Sequence, residues 1–526
     1  MNIAPLLQTD FYKTSHYKMY PTGTTKIYSN LTPRKSRIKG VNAIVVFGIQ
    51  YFILEYLIKQ WNDSFFTYTK PIAIKKYKRI MDPTLGKDSI STEHLEKLWD
   101  LNYMPLHIKA LPEGTLCPIG VPCMTITNTV DHAYWLVNYL ETILSCTVWQ
   151  PITSATIAYE FRKLLNKYAY ETTGQTQSVQ WQGHDFSMRG MSSLESACTS
   201  GAGHLLSFTG TDTIPAISFL EQYYGANVDK ELVGASVPAT EHSVMCMGSK
   251  DDEIGTFKRL LDLYPSGILS VVSDTWDLWK VLTEYLPALK DQILARDGKL
   301  VIRPDSGDPV DIICGRFMHH VDGKTLIPCD DSSADKGVIQ LLWDTFGGTV
   351  NKQGYKELNS HIGAIYGDSI SLERAEQICE RLKSKGFAST NIVFGIGSYT
   401  YQMNTRDTFG FAVKATYGEV LECGHHVECC EGECKGGIPQ GREIFKDPIT
   451  DDGTKKSAKG LLQVVGYDYD GGEPSYGTKH PGFTLALRDQ VSKEDEEKGY
   501  LETVFLDGKL TKHQTLSEIR ERLLNQ

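Results

Sequence analysis

Between about residues 180 and 400 the chain repeats one pattern: a short β-branched apolar run, a turn carrying Asp or Gly, and often apolar positions at helical spacing. Ile268-Leu-Ser-Val-Val-Ser273 stops at Asp274, after which Trp276, Trp279 and Leu282 mark a helical stripe. Leu300-Val-Ile-Arg303 runs into Pro304-Asp305-Ser306-Gly307, where Pro and Gly force a turn that leaves the Asp carboxylate at the strand's carboxyl end. His361 to Tyr366 runs into Gly367-Asp368-Ser369, and Ser371 can cap a helix whose Leu372, Ala375, Ile378 and Leu382 share one face. Asn391-Ile-Val-Phe394 ends in Gly395-Ile396-Gly397-Ser398. Such units, with polar residues at strand ends, fit a (β/α) barrel or a doubly wound sheet, since both place ligands on that edge. The barrel is favoured: no G-x-G-x-x-G opens an early helix, and Gly395-Ile-Gly397 alone says little about a nucleotide.

Elsewhere the pattern is less regular. The most apolar early window, Ala43 to Ile58, is too short to span a membrane and carries Gln50 and Glu55, so it predicts a buried amphipathic helix. Charged, Gly-rich stretches at Gly432–Gly441, Asp451–Gly460 and Asp468–Gly477 predict loops. A length of 526 residues exceeds one ordinary core, so roughly two to four domains, or a barrel with large additions, are expected.

With 41% hydrophobic and 22% charged residues the composition is that of a globular protein. The net charge of -10 argues against broad phosphate neutralisation of nucleic acid, but leaves room for a small anion held by local cations such as Lys455 and Lys456. The start MNIAPLLQTDFYK lacks the layout of a secretory signal and no segment reads as a membrane span, so a cytoplasmic protein is expected. Most of the 12 cysteines are scattered singly, as reduced thiols would be. The exception is Cys423, Cys429, Cys430 and Cys434, with His425 and His426 between them. Those residue types bind zinc, but their spacing matches no paired knuckle, and a surface hairpin insertion is the favoured reading.

Asp274, Asp305 and Asp368 at strand ends can be aimed at one polar ligand, although each alone reads equally well as a helix cap or turn former. Arg303 lies two positions before Asp305 and offers a planar fork for a phosphate or an amide oxygen. In His184-Asp185-Phe186-Ser-Met-Arg189-Gly190 an aromatic and an Arg can stack on a flat heterocycle and hold a phosphate, while Phe186 taken alone reads better as core. Gly210-Thr211-Asp212-Thr213 and Ser236-Val-Pro-Ala-Thr-Glu241-His242-Ser243 add polar residues in two more loops. A lone histidine such as His242 is more often structural than chemical.

Taken in order, TDFYKTSHYKMYP, HDFSMRGMSS, GTDT, SVPATEHS, VVSDTWD, IRPDSGDP, YGDS, TRD and IFKDP resemble the nicotinamide phosphoribosyltransferase family from about Asp10 to the final helix. The resemblance implies an irregular (β/α) barrel at 176–400, flanked by a β-rich α+β domain built from 1–175 and 401–526. It implies a homodimer with shared active sites, joining nicotinamide to phosphoribosyl pyrophosphate with Mg. Nicotinamide would stack between Phe186 and Tyr12 of the partner subunit, with Asp212 accepting from the carboxamide nitrogen and Ser236, Ser270 and Arg303 nearby. An ionised Asp212 would accept from an NH2 group and repel a nicotinate carboxylate.

The same resemblance assigns ribose and phosphate contacts to Arg189, Asp305, Gly367, Asp368 and, from the neighbouring subunit, Arg406, with Lys414, Lys446 and Lys455 as further anion contacts. Asp10 and Arg34 match interface or phosphate-site positions. The family's glycine-rich phosphate loop falls at Gly397 and Ser398, where the last glycine is replaced. Asp305 and Asp274 would organise charge and the metal site, and His242 matches a histidine phosphorylated by ATP. The Cys-rich stretch between Ala415 and Lys446 is longer than the family implies, and reads as a tolerated insertion. The rival readings are a nicotinate enzyme of the same fold, a non-catalytic binding protein on that fold, and an unrelated phosphate-binding barrel.

Overall fold

A computed structural model of the chain describes residues 3–316, 318–320, 326–328, 332–422, 437–450, 458–467 and 484–525. Six parallel strands form its central sheet: β1 (Gly183–Asp185), β2 (Gly210–Thr211), β3 (Ser266–Val272), β4 (Asp297–Arg303), β5 (Ile362–Tyr366) and β6 (Ile392–Ile396). Their order is β2-β1-β6-β5-β4-β3, every neighbouring pair parallel. The two edges do not stay open. Ala235 bridges Gly210 on β2 and Ala239 bridges Ser270 on β3, both in parallel sense. Thr211 N donates to Ala235 O at 2.9 Å and Thr240 N to Ser270 O at 3.0 Å, so the extended segment 235–240 closes the sheet into an irregular barrel.

The β-branched runs thus became strands where expected, with helices between them. Ser371 caps the helix Leu372–Ser384 by accepting from Arg374 N, and Ala375, Ile378 and Leu382 are buried on its inner face. After β3 the helical backbone starts at Leu278, capped by Asp277, while Trp276 lies in the preceding turn.

The chain divides into two compact units, one of Met1–Thr156, Glu221–Ala226 and Asn404–Gln526, the other of Ile157–Leu220 and Asn227–Met403. The division expected at 175 lies past the end of the helix Glu141–Thr173, whereas the units divide within that helix. The first unit is built on a seven-stranded sheet in which Thr24–Thr32 pairs with Ala412–Glu422 and Leu106–Ala110 with Glu502–Leu506, all antiparallel. Strands from the two chain ends are interleaved, so neither end completes the sheet alone. Helices bring Phe52, Trp61, Leu98 and Trp135 into the same buried cluster as Leu31, Ile108 and Ile126 of the sheet.

Two sequence expectations need correction. Ala43 to Ile58 is not one helix: Ala43–Val45 is a strand paired with Leu116–Pro118, Gly48 turns the chain at φ +91°, and the helix begins at Ile49. A short apolar run does not distinguish strand from helix by periodicity, and the glycine is the physical break. The loop expected over Gly432–Gly441 contains the start of a strand, Ile438–Glu443, which adds to the exposed edge of Ala412–Glu422. The cysteine group Cys423–Cys434 and the loops Asp451–Ser457 and Asp468–Gly477 lie outside the described residues. Among the described residues no helix is long and apolar enough to cross a membrane.

Gln50, read from sequence as part of a polar face, is buried in a hydrogen-bond network. Its Nε2 donates to Gln514 O at 3.0 Å while its Oε1 accepts from Gln514 N at 2.7 Å. Glu113 beside it accepts from Gly48 N at 3.1 Å and Gln50 N at 2.6 Å. Burial nevertheless raises the Glu113 carboxyl to about 7. A carboxyl raised in the folded state costs nothing below its unfolded value near 4.5 and destabilises progressively as pH climbs through about 7. Wild type should therefore lose stability relative to Glu113→Gln across that window, by on the order of 3 kcal/mol, in denaturant unfolding followed at pH 4.5 and 8. A gap independent of pH would show that Glu113 ionises freely in the fold.

Candidate active site

The barrel encloses a cavity of about 330 Å³. Most of its wall is apolar, from residues including Val237, Ile268, Val301, Ile365 and Val393, and into it converge His184, Asp212, Ser236, Ser270 and Arg303. Alternation along β4 places Lys299, Val301 and Arg303 on the lumen side. A large apolar cavity with a few polar groups is the setting of small-molecule binding.

Asp212 follows β2 directly, and its backbone N donates to Asp185 O of β1 at 2.9 Å. Its Oδ1 accepts from His184 Nε2 at 2.8 Å and from Ser236 Oγ at 2.6 Å. Burial acts to raise the Asp212 pKa, but the His184 and Ser236 hydrogen bonds, with the nearby charge of Arg303, outweigh it and hold the pKa below the usual carboxylate value. His184 crosses to Asp212 over Gly210, where an added Cβ would stand 2.7 Å from its Nδ1. Arg303 at the end of β4 donates from Nη2 to Thr240 O at 2.9 Å, and its buried Nε has no partner among the described residues. Ser270 is buried on β3, its backbone N bonded to Pro238 O at 2.9 Å.

Phe186 continues from β1, its backbone N donating to Ile396 O of β6 at 3.0 Å. Its ring is half-buried and lies against two glycines. A Cβ on Gly395 would come within 2.4 Å of the ring, and one on Gly367 within 2.9 Å. The ring rests where side chains from β5 and β6 would otherwise be, which leaves it as a platform on the cavity wall.

At the strand ends the carboxylates gather. Asp274 Oδ2 accepts from Asp305 N at 2.8 Å and Ser306 Oγ at 2.5 Å, while its Oδ1 is buried without a hydrogen bond among the described residues. Tyr366 donates to Gly307 O at 2.9 Å. Burial, then the charges of Asp368, Asp305, Asp274 and Asp308, push its hydroxyl pKa far up. His242 opens the helix His242–Met247, with Nδ1 3.1 Å from Thr275 Oγ1, the residue after Asp274. Arg189 is exposed in the turn Met188–Gly190, and Gly190 packs so closely on Ser398 that a Cβ there would lie 2.0 Å from its Oγ. Gly397 follows β6, and a Cβ added there would meet no atom within 4 Å among the described residues.

Residues 181–432 match the nicotinate phosphoribosyltransferase family, and residues 4–70 match the nicotinamide phosphoribosyltransferase N-terminal domain. A nicotinamide phosphoribosyltransferase of Acinetobacter baylyi is 50% identical over 536 residues, which cover 100% of this chain and 98% of that protein. The chain belongs to the nicotinamide phosphoribosyltransferase family. The corresponding protein of Mycoplasma pneumoniae is 38% identical over 480 residues, covering 88% of this chain and 97% of that protein. The crystal structure of nicotinate-nucleotide pyrophosphorylase from Pyrococcus furiosus superposes with a TM-score of 0.53 at 14% identity, covering 99% of this chain and 95% of that chain, and so shares the fold.

The barrel brings together Phe186, Asp212, Ser236, Ser270 and Arg303 on the cavity, joins Asp274 to Asp305 by a hydrogen bond, and seats Gly367 against the Phe186 ring. Other residues expected from the family belong to the flanking unit. There Asp10 accepts from Thr142 Oγ1 at 2.7 Å, Tyr12 is 60% exposed, and Lys446 is exposed. Arg34, Arg406 and Lys414 are exposed on segments tied to each other by Lys35 N to Phe409 O, Arg37 N to Thr408 O, and Asn30 Nδ2 to Lys414 O. Lys455 lies outside the described residues.

Sequence reasoning missed His184 as a site residue, and Gly395. His184 stands two positions before Phe186, so strand alternation alone would have put both on the lumen side. Nothing in the sequence marks Gly395 as the seat of an aromatic ring that lies 209 residues earlier.

Proposed function

We propose that this chain transfers the phosphoribosyl group of phosphoribosyl pyrophosphate to nicotinamide, giving nicotinamide mononucleotide and pyrophosphate in NAD salvage. The observation that carries the reading is Asp212, a carboxylate held ionised by two donors in an apolar cavity beside Phe186 and Arg303. The pyridine ring lies on Phe186, the carboxamide NH2 donates to Asp212, and its oxygen accepts a hydrogen bond from Arg303 or Ser270. The ring nitrogen then attacks the anomeric carbon as the bond to pyrophosphate breaks. Positive charge builds on the ribose in that transition state, and the carboxylates of Asp305, Asp274 and Asp368 stabilise it. Arg189, Gly397 and Ser398 are the candidate phosphate contacts of the barrel, and Arg406 would come from the neighbouring subunit.

No group of three or more His, Cys, Asp or Glu forms a metal cage among the described residues. Asp274 Oδ1, buried with no hydrogen-bond partner among the described residues, would hold a Mg ion, a hard cation that prefers oxygen ligands. When bound, Mg would neutralise charge on the leaving pyrophosphate. Free thiols at Cys117, Cys123, Cys314 and Cys379, all buried, support a reducing, cytoplasmic setting.

The test is product formation with nicotinamide or nicotinic acid in parallel, in wild type and Asp212→Asn. Wild type should prefer nicotinamide, and Asp212→Asn should lose at least about tenfold of that preference, the loss of one charged interaction. Preference for nicotinic acid would move the chain to the rival specificity, and no product from either would favour a binding protein.

His242 would take the γ-phosphoryl group of ATP on Nε2, releasing ADP, while Thr275 steadies Nδ1. ATP should stimulate wild-type synthesis and have no effect on His242→Ala; stimulation persisting in that variant would remove the phosphohistidine role.

The assembly would be a homodimer in which Tyr12 of the partner subunit covers the ring on Phe186. Exposure of Phe11, Tyr12 and Met19 at 50%, 60% and 70% supports a covered surface there. Mixing inactive Tyr12→Ala and Phe186→Ala subunits should restore up to about half of the sites per heterodimer, since one pocket then has both aromatics. No recovery after subunit exchange would place both rings in the same protomer's site.

A further inference from the structure

We propose that His184 is a specificity-determining positioning residue, which with the Ser236 hydroxyl fixes Asp212 as an acceptor for the pyridine substituent and so sets the choice of amide over acid. This rests on the nicotinamide reading above and adds to it the groups that act through Asp212.

Both donors fall on the same oxygen. His184 Nε2 and Ser236 Oγ lie 2.8 and 2.6 Å from Asp212 Oδ1, and Oδ2 accepts no hydrogen bond among the described residues. An ionised carboxylate has no proton to give, so His184 must present Nε2–H to it. A carboxamide NH2 can complete Oδ2, whereas a carboxylate would bring a second negative charge to an oxygen with nothing between them.

The geometry behind His184 serves this one bond. Gly210 has no Cβ to lift the imidazole from β2. His204, on the helix Leu194–His204, holds the Gly210 carbonyl through Nε2 at 3.0 Å and takes the Tyr401 hydroxyl on Nδ1 at 2.7 Å, which defines its neutral tautomer. Burial keeps His204 neutral by dropping its pKa to about 4.

The remaining charges work in the opposite sense. Arg303 of β4 faces Asp212, and Lys299 of the same strand lines the cavity; both would welcome a carboxylate substrate. Rejection of the acid therefore depends on Asp212 staying charged. Loss of either donor lets its pKa rise toward the ordinary value, and a protonated Asp212 would donate to nicotinate instead of repelling it.

The experiment measures kcat and KM for nicotinamide and nicotinic acid between pH 4 and 8. It compares wild type with His184→Phe, which keeps a ring and removes the donor, His184→Gln, which keeps an N–H, Ser236→Ala and Asp212→Asn. His184→Phe should raise the nicotinamide KM about tenfold with kcat changed less than about threefold, and Ser236→Ala should do the same to a smaller extent. In His184→Phe, use of nicotinic acid should extend to higher pH than in wild type, and His184→Gln should recover most of the amide preference. Equal behaviour of the Phe and Gln variants, or an unchanged selectivity and pH profile in both His184→Phe and Ser236→Ala, would overturn the inference. Should His184→Phe fail to fold, by its thermal unfolding, Ser236→Ala against Ser236→Thr carries the same comparison. An Asp212→Asn enzyme that still prefers nicotinamide would instead overturn the underlying reading of Asp212.

Discussion

The short segment from Ala235 to Thr240 is the constraint on which the barrel depends. Without its parallel bridges to β2 and β3 the sheet would present two open edges and no enclosed lumen. The same residues deliver chemistry: Ser236 reaches Asp212, the carbonyl of Thr240 seats Arg303, and His242 begins the next helix. Closure and site assembly are therefore one event. A change that loosens the bridge would be felt at Asp212 and Arg303 together, although neither belongs to the segment.

The site divides its work by layer. On the lumen wall the Asp212 carboxylate is held by His184 and Ser236 among mostly apolar residues. At the strand ends several carboxylates gather round Tyr366, where a substrate that develops positive charge is favoured. Glycines set the spacing between these layers, because Gly367 and Gly395 give the Phe186 ring room that any side chain would take.

Strand and turn chemistry made much of this legible in advance. The runs before Asp274, Asp305 and Gly367 are β-branched and end in residues that turn the chain, so local physics and the global fold agree there. Barrel closure was not legible, because 235–240 contains Pro238 and pairs through scattered backbone bonds without a regular strand pattern. The unit boundary was hidden for a related reason: the helix Glu141–Thr173 runs through it without a composition break. Gln50 misled because its polarity is satisfied internally by Gln514, a partner at the far end of the chain. Family resemblance supplied Asp212, Ser236 and Ser270 as ligands of a substrate; the pattern of residues alone supplied only their placement in loops or strands.

The interleaved flanking sheet bears on how the chain is made. Thr25 donates to the carbonyl of Glu419, 394 residues later, in the strand pairing that joins the two ends. During synthesis the amino-terminal strands emerge long before their partners and must wait, edges unpaired, while the whole barrel is translated. Ala412–Glu422 and Glu502–Leu506 then pair with the amino-terminal strands Thr24–Thr32 and Leu106–Ala110 and extend the sheet at both sides. For this chain, loss of a short piece from the carboxyl end would be less a truncation than an arrest of folding.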